Sequence, residues 1–87
     1  MQFVHNDLGL LNGGEVVEIT LANQADVKLM DSSNFASYQQ GGRHRFFGGL
    51  AVKSPIRLQV PNAGHWHVAV DLGGHGGSIR AGVRLLG

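Results

Sequence analysis

Ile56-Arg57-Leu58-Gln59-Val60-Pro61-Asn62-Ala63-Gly64-His65-Trp66-His67-Val68-Ala69-Val70-Asp71 decides the fold class. Ile56, Leu58 and Val60 alternate with Arg57 and Gln59, the period of two expected of a half-buried strand. Pro61 cannot donate to a ladder and ends that run. Pro61-Asn62-Ala63-Gly64 then has the composition of a tight turn, with Pro presetting φ and Gly accepting a positive one. On the far side Trp66, Val68 and Val70 share the inward face, while His65, His67, Ala69 and Asp71 face outward to solvent. The unit reads as an antiparallel hairpin anchored in the core by Trp66.

Upstream, Glu15-Val16-Val17-Glu18-Ile19-Thr20-Leu21 repeats the alternation, with Val17, Ile19 and Leu21 on one face. Asn23-Gln24-Ala25-Asp26 offers turn residues before Val27-Lys28-Leu29-Met30, so these two runs also read as a hairpin. Ser32 or Ser33 is positioned to N-cap a short helix over Asn34 to Gln40, with Phe35 and Tyr38 on one side and Gly41 as the C′ residue. Arg43-His44-Arg45-Phe46-Phe47 reads as a short strand ending at Gly48-Gly49. Downstream, Ile79, Ala81, Val83 and Leu85 alternate with Arg80, Gly82 and Arg84 in a final strand. At least five strands and no long amphipathic helix point to an all-β fold, a small jelly-roll-like antiparallel sandwich or partly open barrel. One short helix is expected near residues 33–40.

With 87 residues the chain holds a single β domain, residues 1–87, and not two cores. Such a small domain buries limited surface, which makes pairing of edge strands with a second copy a reasonable route to extra stability. There is no Cys, so disulfides, thiolate nucleophiles and thiolate metal ligands are excluded. No apolar run approaches the roughly 20 residues of a membrane-spanning helix, and the N-terminal stretch lacks a secretory pattern. A cytoplasmic, soluble protein is the expectation. The formal net charge of +1 gives no overall attraction to nucleic acid or anionic lipid.

Three stretches carry candidate chemistry. His65, His67 and Asp71 lie on one strand face, where residues two apart project together and are able to chelate a divalent metal. The spacing superficially resembles the His-x-His-then-carboxylate arrangement of cupins, but cupin ligands point into the barrel and here Trp66, Val68 and Val70 take the interior. The ordinary alternative is a pair of polar residues on a solvated face. Arg43 and Arg45, with Arg57 further on, combine cationic groups with Phe46 and Phe47 and form a candidate binding surface, although no stripe or motif of a nucleic-acid reader accompanies them. Gly73-Gly74-His75-Gly76-Gly77 has the glycine density of an anion nest but lacks the Gly-Lys-Ser/Thr ending of a phosphate loop, and reads as a turn. None of the Ser residues sits in a Gly-x-Ser-x-Gly elbow.

The ordered string Leu29-Met30-Asp31-Ser32-Ser33-Asn34-Phe35, Tyr38, Phe47-Gly48-Gly49, Ser54-Pro55 and Gly64-His65-Trp66-His67-Val68 resembles the bacterial family called domain of unknown function eighteen-eighty-three. The likeness extends to the opening Asp7-Leu8-Gly9 and to Gly14-Glu15, and so covers the whole chain. It implies a small, mostly β bacterial protein that occurs alone or as a module of larger chains, some with TIR domains, and it brings no catalytic residues. The leading expectation is a noncatalytic binding or protein-interaction module without a cofactor, acting through the face around His65, His67 and Arg57 or through the segment from Asp31 to Ser54. The alternatives are a small cupin-like metal-dependent enzyme using His65 and His67, with His44 or His75, and a self-assembling structural unit that forms a homodimer.

Overall fold

The computed structural model describes residues 2–74 and 76–87. Its strands are β1 (Phe3–Leu11), β2 (Val16–Leu21), β3 (Ala25–Asp31), β4 (Phe47–Ala51), β5 (Ile56–Gln59), β6 (Gly64–Asp71) and β7 (Ala81–Leu85), and one helix, α1 (Ser32–Gln39), lies between β3 and β4. They form two sheets, a four-stranded one in the order β1-β6-β3-β4 and a three-stranded one in the order β5-β2-β7, with every pairing antiparallel. The architecture is an all-β sandwich, and no barrel closes among the described residues.

The inward faces follow the alternation. Val17, Ile19 and Leu21 from one sheet meet Val27, Leu29, Trp66, Val68 and Val70 from the other in one buried cluster. Trp66 anchors it as expected, with its Nε1–H donating to the Asn62 carbonyl at 3.0 Å.

Both expected hairpins are corrected. β2 and β3 lie in different sheets, and so do β5 and β6, so the turns after Leu21 and Val60 carry the chain across the sandwich instead of back along a neighbour. The physical reason is that period two assigns a strand its buried face but not its hydrogen-bonding partner. Two strands that face each other across a core show the same alternation as two that pair edge to edge. Val60 is instead tied to the β1–β2 connection, donating to the Glu15 carbonyl and accepting from Gly14 N.

Three local readings also change. The helix begins two residues earlier than expected because Asp31, not Ser32 or Ser33, is the N-cap: its Oδ1 accepts from Asn34 N at 2.9 Å. Residues 43–46 are not a strand, and β4 runs through Gly48-Gly49 instead of ending there. The last strand starts at Ala81, with Ile79 packing on the core from the segment before it. Phe35 and Tyr38 are buried as their spacing suggests, and Gly41 follows the helix at φ 77°, the left-handed conformation that a C′ glycine supplies.

The Phe3–Leu11 strand was not legible by alternation. Its register on β6 is broken between Asp7 and Gly9, which shifts the following residues by one position.

Candidate functional site

The chemistry gathers on the outer face of the four-stranded sheet, which α1 crosses. Phe35 and Tyr38 press on Met30 and Ala69, with Phe3 closing the side. This cover overturns the expectation of solvent exposure for His67, Ala69 and Asp71, which are 7%, 0% and 1% exposed, while His65 stays partly exposed. The alternation assigned the face correctly, but a helix lies on it.

At one end of α1, the register of β1 on β6 brings His5 and Asp7 beside His65 and His67. The His65 Nε2–H donates to Asp7 Oδ1 at 2.6 Å, and the His5 and His67 rings meet Nε2 to Nδ1 at 2.9 Å. The His65 and His67 rings stack, 4.7 Å between centroids and 4° from parallel, and Phe35 also stacks on His67 at 4.7 Å. Ser32 Oγ lies 2.7 Å from His67 Nε2. Burial pushes the His67 imidazole below the usual histidine range, which favours its neutral form. The hydrogen bond from His65, with a second from Gly9 N, holds the Asp7 carboxyl below the usual carboxylate range.

Ser32, His67 and His5 follow one another in the order nucleophile, base and orienting group. The Asp31 carboxylate, however, already takes the amide of Asn34 at this helix start, so that N–H is not free to hold an oxyanion. Ser32 is better suited to fixing the ring of His67 than to attack.

Asp71, the third expected ligand, is not part of this group. Four residues further along β6, its Oδ2 accepts from the Tyr38 hydroxyl at 2.5 Å and its Oδ1 from Gly73 N at 2.8 Å, with Lys28 Nζ 3.8 Å away. Burial, together with the hydrogen bond to Asp71, pushes the Tyr38 hydroxyl well above the usual tyrosine range. The sequence reading also passed over Asp7, since nothing in a single strand announces which carboxylate a neighbouring strand will supply.

Alongside α1, from Asn34 in its first turn to the loop that follows it, runs an open groove of about 760 Å³, lined by Lys28, Asn34, Arg43, His44, Arg45 and Phe46. Asn34 holds the loop in place: its Oδ1 accepts from Arg45 N at 2.7 Å while its own Nδ2 donates to Asp31. Gly42 N donates to the Ser37 carbonyl and keeps the loop against the helix end. Lys28 is already engaged, donating to His44 Nε2 at 3.3 Å and lying 4.9 Å from the ring centroids of both Tyr38 and Phe46. Arg43 and Arg45 are exposed and in no ion pair among the described residues. Arg57 is on the other sheet, where it pairs with Glu18 at 3.0 Å. The structure therefore brings Arg43 and Arg45 together and separates Arg57 from them. His44 borders the groove, and His75 lies outside the described residues.

A family model described as Domain of unknown function (DUF1883) matches residues 1–87. The chain belongs to the DUF1883 family. No curated protein and no solved structure matches it. Membership in DUF1883 agrees with the likeness read from the sequence blocks and assigns no activity. No helix among the described residues is long and apolar enough to cross a membrane.

Proposed function

We propose that this DUF1883 chain is a noncatalytic protein-interaction module that binds an extended, acidic segment of a partner along β4. The observation that carries the reading is an unpaired sheet edge. β4 ends the four-stranded sheet and pairs with β3 on one side only, leaving its other row of backbone groups without a ladder partner among the described residues. Around that edge Phe46, Phe47, Leu50 and Val52 are exposed, Leu50 by 65% and Val52 by 66%. Gly48 and Gly49 leave the centre of the strand bare of side chains. An extended peptide added to such an edge gains main-chain hydrogen bonds, and its alternate side chains reach the flanking apolar residues.

Charge supports an acidic partner. Arg43 and Arg45 stand beside the same strand with no carboxylate partner among the described residues, and bidentate pairing to a carboxylate is what a guanidinium does best. The open shape of the groove and its cationic rim suit recognition of an extended segment.

Selection of displayed random peptides on the immobilised protein tests this. The expected outcome is enrichment of sequences in which Asp or Glu alternates with apolar residues, with binding lost on Arg43→Ala plus Arg45→Ala and kept on Arg57→Ala. No enrichment, or binding that survives the double substitution, refutes it. A second copy on the same edge would appear as a dimer in light scattering, weakened by Leu50→Lys, and would replace the partner reading with self-assembly.

A further inference from the structure

We propose that Asp7, His65 and His67 form a site for one divalent transition-metal ion, zinc being the simplest probe. The proposal is independent of the β4 edge. One ligand atom from each of the three side chains lies within 4.8 Å of the other two. Donors 2.0–2.1 Å from a tetrahedral or octahedral ion are about 2.9–3.4 Å apart, so small side-chain rotations bring this set into coordination. Two imidazoles and one carboxylate are the donor mixture that suits zinc, nickel or copper, and not magnesium or calcium.

Three features show a set held ready. Asp7 and His67 are directly opposite in the β1–β6 register, and the irregularity after Asp7 lets Gly9 N donate to its Oδ1 at 2.8 Å, which fixes the carboxylate. Ser32 Oγ, 2.7 Å from His67 Nε2, acts as the outer partner that orients a ligating imidazole through its second nitrogen. Nδ1 is then the coordinating atom, and the ion displaces the contact from His5. His67 is buried against Phe35 whereas the side chains of His65 and Asp7 are 41% and 52% exposed, so the ion has a protein-facing side and an open side for water or a partner's donor. Three protein ligands with an open position can bridge a partner or hold water without further machinery.

Calorimetric titration of the intact chain with zinc chloride, in parallel with imidazole NMR, is the test. We expect one equivalent of zinc to bind, no response to magnesium, and the largest shifts on the His65 and His67 rings. Asp7→Asn and His65→Ala, both at partly exposed positions, each weaken binding more than about tenfold, Ser32→Ala weakens it about tenfold, and His44→Ala leaves it unchanged. The NMR arm reads the unaltered protein and decides the matter even if a variant unfolds. Absence of zinc binding overturns the proposal, as do zinc-dependent shifts confined to other histidines or affinity retained in folded His65→Ala.

Discussion

The residue that best shows how α1 is held is Tyr38. Its hydroxyl donates to Asp71, a carboxylate 1% exposed, and with Gly73 N it supplies the hydrogen bonds that offset burial of that charge. Tyr38→Phe removes one of these donors without changing the ring packing on Phe3. Urea denaturation should show a loss of about 1–3 kcal/mol, the usual cost of leaving a buried acceptor short of a partner. An unchanged midpoint would mean that Lys28 takes over the carboxylate. Gly48 makes a second residue-scale case. Its φ is 116°, and a Cβ there would run into the Val27 carbonyl oxygen of the paired strand. Gly48→Ala should lower stability by about 1–3 kcal/mol from backbone strain alone, measured as a drop in thermal midpoint.

Among the elements, β2 is the centre of the three-stranded sheet and Glu18 ties its neighbours to it. Glu18 faces Arg57 across one ladder and Arg84 across the other, and its two oxygens take one guanidinium each at 3.0 and 2.9 Å. The hydrogen bond from Arg57, then the charge of Arg84, hold this carboxyl below its usual value of 4.5. A carboxylate whose folded pKa is depressed contributes stability that is complete above the unfolded value and is lost as pH falls through the folded one. Stability measured from pH 7 to pH 3 should therefore decline below about 4.5, and Glu18→Gln should flatten that decline. If the variant follows the same acid profile, the paired arginines contribute nothing measurable. The elements also show where sequence legibility stopped. The buried faces of β2, β3, β5 and β6 were readable because alternation is a property of one strand. Their partners were not, because the turn residues at 22–24 and 61–63 look alike whether the chain doubles back within a sheet or crosses to the opposite one. For the same reason His65 and His67 were legible as a same-face pair, while Asp7, delivered by another strand, and the packing of the expected helix over that face were not.

For the molecule as a whole, the two outer faces are unlike. On the three-stranded sheet the arginines Arg57 and Arg84 are both paired with Glu18. On the four-stranded sheet α1 lies between a histidine–aspartate cluster and a groove whose two arginines are in no ion pair among the described residues, beside an edge strand whose apolar side chains stand in solvent. An interaction module needs a rigid scaffold and one differentiated surface, and the sandwich provides both. Phe46, Phe47, Leu50 and Val52 are costly to leave exposed unless something covers them, which gives the β4 edge its place in the proposed function.

The most direct measurement is a two-dimensional amide NMR titration of the isotope-labelled chain with a selected acidic peptide. Strand addition at the β4 edge should move the amides of Arg43 to Val52 and slow hydrogen exchange along Phe47 to Ala51, leaving those of Arg57 and Arg84 in place. Shifts confined to β5 and β7, or no slowing of exchange in β4, would contradict the account.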